Sequence, residues 1–241
     1  LRARHARRQI RDRRAAPPQR AGRGGEVATG LTIAVPRGAL FGETLDLLEA
    51  AGIDVSEVRA NDRKLLFEAA GIITMRPSDV PTYVESGAAD IGITGKDVLN
   101  EQDERSLLEV VDLGYGGCEM VLASIDQDPD PIDEAIRRNG YLRVATKYDK
   151  TALKHFRQTG RQAEIVAVKG SVELAPLTGM VDAIVDLTAT GTTLRENGLV
   201  VRESIGHSTA RLIANPASYR LRAGEVDDLV ARLSHAAGRS S

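Results

Sequence analysis

The stretch AIVDLTATGTTLRENGL (183–199) concentrates the residue types best able to do chemistry. An apolar, β-branched run delivers an acid, Asp186. Thr190-Gly191-Thr192-Thr193 follows four residues later, where a helical pattern begins. Backbone N–H groups at a helix start are unsatisfied and carry partial positive charge, so they suit an anion. Gly191 permits a tight turn and close approach of that anion to the backbone, and the three threonines add hydroxyl donors. An acid held at a strand's end can accept hydrogen bonds from sugar hydroxyls. These features describe a cradle for a ribose 5-phosphate; the alternative is a plain helix N-cap cluster, where Thr is common. The spacing is not that of a Walker loop, because no Gly-Lys-Ser/Thr follows.

Other candidates are more dispersed. Arg37 stands at the tip of a glycine turn in VPRGAL (35–40), and Arg63 in NDRKLL and Arg76 in TMRPSD follow or end expected strands. Guanidinium groups there can hold a triphosphate or diphosphate bidentately, although each taken singly has the ordinary reading of a surface arginine. ADIGITGKD (89–97) is a glycine turn bearing Thr94, Lys96 and Asp97. In GYGGCEM (114–120), small residues leave room for a planar ligand. Cys118 lacks a local nucleophile motif and reads as a small buried thiol. His5, His155, His207 and His235 show no zinc-ligand spacing. Neither Gly-x-Ser-x-Gly nor Gly-x-Gly-x-x-Gly occurs, which argues against a serine hydrolase and a nicotinamide enzyme.

The elements that must position these residues alternate in type. Strands are expected at 31–35, 71–75, 89–95, 107–113, 118–124, 142–146, 164–170, 182–187, 199–205 and 209–214. Helices are expected at 44–52, 78–87, 96–101, 131–140, 149–160, 171–179 and 224–237, with a loop turning into helix over 190–198. Asp149 or Thr151 would cap the helix at 149–160. Val226, Leu229, Val230 and Leu233 share one face of the last helix. Such alternation means an α/β fold with largely parallel sheets, and so many strands suggest two α/β lobes with ligands in the cleft between them.

The chain has 241 residues, 42% hydrophobic and 27% charged, with one cysteine and no Trp. No apolar run is long enough for a transmembrane helix. One cysteine excludes an internal disulfide and fits a reducing, cytoplasmic compartment. Few aromatics argue against a base-stacking nucleic-acid platform. Residues 1–30 hold nine Arg, no Lys and two acids, whereas the remaining 211 carry a net −9. With Leu1, Ile10 and Val27 as their only larger aliphatics, residues 1–29 read as a disordered basic extension. It is either a nucleic-acid-binding arm or a non-native addition.

From Leu31 to about Ala237 the sequence resembles the catalytic subunit of ATP phosphoribosyltransferases, the first enzymes of histidine biosynthesis. The resemblance is carried by PRGAL, MRPSDVPTYVESGAADIGITGKDVL, GYGGCEMVLA, LRVATKY and GSVELAPLTGMVDAIVDLTATGTTLRENGL. In the last stretch Glu173, Gly179, Asp186, Thr190, Gly191, Thr193 and Leu194 match the family's signature. Val181 departs from it, standing where the family usually has a small residue. The resemblance implies two lobes of mixed or parallel sheet, like a periplasmic binding protein. The first lobe would be 30–117 and 213–241, the second 118–212.

It also implies a reaction, in which ATP and 5-phosphoribosyl 1-diphosphate give N1-(5-phosphoribosyl)-ATP and diphosphate, with Mg²⁺ accompanying the phosphates. The phosphoribosyl donor would sit on Asp186, Thr188, Thr190, Gly191, Thr192 and Thr193. ATP would meet Arg37, Gly38, Arg63, Asp97, Gly117, Cys118 and Glu173, and Asp186, Arg63 and Arg37 would be catalytic. No extra C-terminal regulatory domain is evident, so the chain looks like the short form. That form works as a homodimer within a hetero-octamer that includes a regulatory subunit resembling histidyl-tRNA synthetase. The rival readings are a two-lobed solute-binding protein without catalysis and a phosphoribosyltransferase of another class. Removing residues 1–28 is expected to leave folding and turnover unchanged; a melting temperature lower by several degrees would make the arm part of the folded unit.

Overall fold

The computed structural model describes residues 30–238; the reading of residues 1–29 lies outside them. One sheet comprises β1 (Ile33–Pro36), β2 (Leu66–Phe67), β3 (Ile72–Met75), β4 (Ile91–Gly95), β5 (Leu108–Asp112) and β11 (Ala210–Ala214), in the order β2-β3-β1-β4-β11-β5. The other holds β6 (Cys118–Ile125), β7 (Leu142–Thr146), β8 (Ala163–Ala167), β9 (Ala183–Thr188) and β10 (Leu199–Ser208), in the order β10-β6-β9-β7-β8. The helices are α1 (Phe41–Ala50), α2 (Ser56–Ala60), α3 (Val80–Glu85), α4 (Lys96–Glu101), α5 (Pro131–Asn139), α6 (Asp149–Gln158), α7 (Leu174–Leu177), α8 (Thr192–Glu196), α9 (Pro216–Leu221) and α10 (Ala223–Ala236).

The sheets are mixed rather than largely parallel. β1 runs parallel to β3 and β4, and β7 to β8 and β9. β11 lies antiparallel between β4 and β5, β6 antiparallel between β9 and β10, and β2 antiparallel to β3. The sequence reading also omits α2, β2 and α9. β2 is two residues long and leaves Leu66 exposed, so it carries no periodicity. α9 is set by its cap, since Asn215 Oδ1 accepts from Ala217 N and Ser218 N at 2.9 and 3.0 Å.

Each sheet is covered on both faces, as parallel strands require. Leu45 and Leu48 of α1 and Val226, Leu229 and Leu233 of α10 close one face of the first sheet over Ile33, Val35, Ile91 and Leu212. Val80 and Val84 of α3 close the other over Ala34 and Ile213. In the second sheet Ala183 and Val185 point to the side of α5 and α6, and Ile184 to the side of α7 and α8. Val181 is buried in the latter cluster, so a larger apolar side chain is accommodated there.

The chain crosses between sheets twice, at 113–117 and at Thr209. The crossings are bonded together: Leu113 N donates to Ala210 O at 2.9 Å, Ala210 N to Tyr115 O at 3.0 Å and Lys96 N to Thr209 O at 3.0 Å. Because Ala210 already pairs with Gly95, the return to the first sheet starts at Ala210, three residues ahead of the expected break.

Packing of α3 on β4 is tight enough to forbid a methyl group. A Cβ on Gly92 would lie 2.6 Å from Val80 Cγ1 and 2.7 Å from Val84 Cγ2. Gly92→Ala is therefore expected to destabilise the fold by about 1–3 kcal/mol, read as a melting temperature lower by roughly 2–12 °C. An unchanged midpoint would mean that α3 moves aside freely.

Candidate functional site

Side chains alternate along a strand, so Asp186 continues the Ile184 face of β9 toward α7 and α8 and comes out at the strand's carboxyl end. It is 7% exposed. One carboxylate oxygen accepts from Leu187 N at 2.8 Å and lies 3.4 Å from Lys147 Nζ. Burial raises its pKa above the ordinary aspartate value; Lys147 opposes that rise and Glu173 adds to it. Glu173, half-buried just ahead of α7, thus acts on the same acid.

The loop after Asp186 is closed by its own threonines. Gly191 N donates to Thr188 Oγ1 at 2.8 Å, and the Thr190 and Thr192 hydroxyls are 2.9 Å apart. Arg195 ties the loop to α8, donating to Thr190 O at 2.9 Å and Thr192 Oγ1 at 3.1 Å. Gly191 has φ 71°, and a Cβ there would stand 2.9 Å from the Arg195 guanidinium. Thr190, Thr192 and Thr193 are exposed.

Between the lobes lies a cleft of about 560 Å³. Leu40, Glu43 and Asp97 line one wall, Cys118, Lys147, Tyr148 and Thr188 of the second lobe line the other, and Gly117 of the first crossing lies between them. Asp97 is fixed by Ser208, whose Oγ accepts from Asp97 N at 2.9 Å and donates to Asp97 Oδ1 at 3.1 Å. The Cys118 thiol donates to Ser208 O at 3.8 Å, and burial, then Asp97, push its pKa up. It is a thiol at neutral pH rather than a thiolate nucleophile. Gly116 has φ 62°, and a Cβ there would overlap Leu40, so this glycine lets the first crossing approach that wall.

Of the residues expected from sequence, the cleft gathers Asp97, Gly117, Cys118 and Thr188, and Asp186 stands behind Lys147. Arg37 and Gly38 lie elsewhere. Arg37 donates through Nε to Thr74 Oγ1 at 3.0 Å and through Nη2 to Lys64 O at 2.8 Å, and packs on Phe41. It borders a separate hollow of about 620 Å³ with Arg76, Leu65 and Leu66. Gly38 is an exposed turn glycine at φ 91°, and Arg63 is exposed in the loop before β2. Thr94 is spent on Pro77 O at 3.0 Å and Lys96 on Glu109.

Sequence reasoning assigned no role to Lys147 and Tyr148. They leave the carboxyl end of β7, where α/β sheets place ligands, and that position was the available signal. Thr146 Oγ1 donates to Val185 O at 2.6 Å and accepts from Tyr148 N at 2.9 Å, which sets both residues beside Asp186. Tyr148 is buried, and burial, then Asp97 and Asp186, raise its pKa.

Comparisons with known proteins show the family and the fold. The family model described as ATP phosphoribosyltransferase matches residues 76–235. The ATP phosphoribosyltransferase of Rubrobacter xylanophilus is 55% identical over 204 residues, covering 84% of this chain and 94% of that protein. That of a Geobacillus species is 47% identical, covering 85% and 97%. Among solved structures, the ATP phosphoribosyl transferase (HisG:HisZ) complex from Thermotoga maritima superposes with a TM-score of 0.71 at 34% identity, covering 86% of this chain and 97% of that one. The periplasmic aliphatic sulphonate binding protein SsuA from Escherichia coli, at TM-score 0.58 and 16% identity, shares the fold alone over 86% of this chain and 68% of its own. With matches running over nearly the full length of its relatives, the chain belongs to the ATP phosphoribosyltransferase family.

Proposed function

We propose that the chain condenses ATP, through adenine N1, with 5-phosphoribosyl 1-diphosphate to give N1-(5-phosphoribosyl)-ATP and diphosphate, in the first step of L-histidine biosynthesis. The observation that carries this reading is a buried acid, Asp186, followed by an exposed threonine–glycine loop at the edge of an inter-lobe cleft, in a chain of this family.

The 5-phosphate would rest on the loop Thr190–Thr193, with Thr188 bracing it, and Asp186 would accept hydrogen bonds from the ribose hydroxyls. Adenine N1 attacks the anomeric carbon as the bond to diphosphate breaks, so the ribose passes through an oxocarbenium-like state. No enzyme nucleophile is needed, and catalysis is positioning plus stabilisation of separating charges. Asp186 opposes the developing positive charge. Lys147, lining the cleft, would meet the departing diphosphate. Asp97 of the first lobe, Gly117 at the crossing and Cys118 of the second lobe would contact ATP, which thus spans both walls. Arg63 and Arg37 are assigned to phosphates of ATP or diphosphate, Arg37 through Nη1, because its other nitrogens are engaged. Mg²⁺ fits a site of this kind, where one or two carboxylates such as Asp97 supplement phosphate oxygens; it would neutralise charge on the leaving diphosphate.

The regulatory partner is proposed to be a separate histidyl-tRNA-synthetase-like subunit, by analogy with the Thermotoga maritima complex. Histidine is expected to inhibit turnover of the assembled complex and to leave the isolated chain nearly unaffected. Tight, inhibitory histidine binding to the isolated chain by calorimetry would overturn that.

Mixing ATP with the phosphoribosyl donor and following the adduct's ultraviolet absorbance tests the reaction. Ligand binding without adduct would favour a solute-binding role. Gly191→Val is expected to abolish donor binding with the fold intact, since a β-branched residue resists φ 71° and fills the cradle. Asp186→Asn removes charge-assisted hydrogen bonds worth about 1.5–3 kcal/mol, so a loss of about 10- to 150-fold in turnover is expected. Wild-type turnover together with wild-type donor affinity would make this acid structural.

The raised pKa of Asp186 gives two pH signs. Donor affinity should rise with pH through that pKa, which lies above the usual aspartate value near 3.9, and this limb should vanish in Asp186→Asn. Because the folded state holds the proton more tightly than the unfolded one, the stabilising contribution is complete at low pH and is lost as pH rises through the folded-state pKa. Asp186→Asn should therefore melt higher than wild type at neutral pH. A lower midpoint would mean that the pair with Lys147 outweighs burial.

A further inference from the structure

Helix α6 begins without a cap of its own. Tyr148 holds the N-cap position and gives the first turn no side-chain acceptor, and the expected caps, Asp149 and Thr151, do not act as such. The acceptor comes from the other lobe. Glu101, the last residue of α4, accepts from Lys150 N at 3.0 Å, Thr151 N at 2.8 Å and the Thr151 hydroxyl at 2.6 Å. A carboxylate is favoured at this position by the unsatisfied N–H groups and the helix dipole. The nearby Lys150–Asp103 pair, 2.6 Å apart, is exposed and adds little.

The placement of this contact matters. α4 carries Asp97 of one cleft wall in its first turn, and α6 follows directly on Lys147 and Tyr148 of the other. The backbone crossings join the sheets at their edge. Glu101 adds a side-chain tie between the two helices that run back from the cleft walls.

We propose that Glu101 is a positioning residue, an inter-lobe latch that sets the separation between the Asp97 wall of the first lobe and the Cys118–Lys147–Asp186 wall of the second. The proposal rests on the functional reading above, in which the donor sits on the loop of the second lobe and ATP spans both walls. A donor held by that loop does not sense the separation, whereas ATP does.

Glu101→Ala is expected to lower kcat/KM for ATP about tenfold, the scale of a lost charge-assisted hydrogen bond, while the donor's Kd by calorimetry stays within about twofold. Glu101→Asp, which keeps the carboxylate on a shorter stem, should recover part of the loss. Thr151→Val should weaken ATP use on its own yet add nothing to Glu101→Ala, because both remove one contact. Hydrogen exchange of the Lys150 and Thr151 amides should speed up in Glu101→Ala, with the change spreading to Tyr115 and Ala210 at the crossings.

Equal losses in donor affinity and ATP use without recovery by Asp would reduce Glu101 to fold support and overturn the latch. So would unchanged ATP kinetics or additive effects of the two substitutions. If the wild-type chain makes no adduct at all, the functional reading fails and exchange alone decides. Change spreading to the crossings supports the latch, and change confined to the first turn of α6 overturns it. Should Glu101→Ala not fold, Glu101→Gln, which keeps one acceptor oxygen, is read by the same measurements, with a smaller loss in ATP use expected and none overturning.

Discussion

Everything at the cleft depends on one constraint of register, the joining of two mixed sheets through their antiparallel strands. β11 enters the first sheet with Ala210 opposite Gly95, the carboxyl end of β4. In the second sheet Cys118, at the start of β6, is opposite Ser208, and Glu119 is opposite Thr188, the carboxyl end of β9. The crossings therefore leave each sheet at the carboxyl edge of its parallel strands. Because they are also bonded to each other through Leu113, Tyr115 and Ala210, the two carboxyl edges face one another. Ligands of open α/β sheets bind outside those edges, and here two such edges share one cleft.

That constraint separates what could be read in the sequence from what could not. LRVAT reads as a strand over the same residues that form β7, and the Val226, Leu229 and Leu233 face of α10 is the buried one. Both follow from periodicity and burial, which are local properties. Strand direction is not local. TARLIA and CEMVLAS have the same apolar character as their parallel neighbours, and nothing in them announces antiparallel pairing. The same limit explains the caps. Asp149 and Thr151 stand where a capping residue belongs, yet the acceptor is Glu101 on another element, invisible to any reading by sequence neighbours.

The site divides in the same way. Asp186 and the loop Thr190–Thr193 lie in one continuous segment, so strand, turn and helix start could be read directly. Asp97 and Cys118 come together only because Ser208 holds both, one through its hydroxyl and the other through its carbonyl. Ser208 is the last residue of β10 and carries no motif. Arg37 shows the converse. Its position at a strand end suggests a phosphate, and the structure adds what sequence could not show, that Thr74 and the Lys64 carbonyl engage Nε and Nη2 and leave Nη1 for that role.

The charge balance around Asp186 suits a site that must exchange partners. A buried carboxylate is costly unless paired, and a bidentate arginine would satisfy it so well that a ligand could hardly compete. Lys147 is a weaker partner, 3.4 Å away and with 42% of its side chain exposed. Its ammonium is a point charge on a flexible stem, so it can compensate the acid in the open cleft and still release it, as the proposed binding of ribose hydroxyls and a phosphate requires. Glu173 works in the opposite sense, raising the energy of the ionised Asp186. The acid is thereby left underpaired, and in the proposed reaction the oxocarbenium-like ribose is the partner that would complete it.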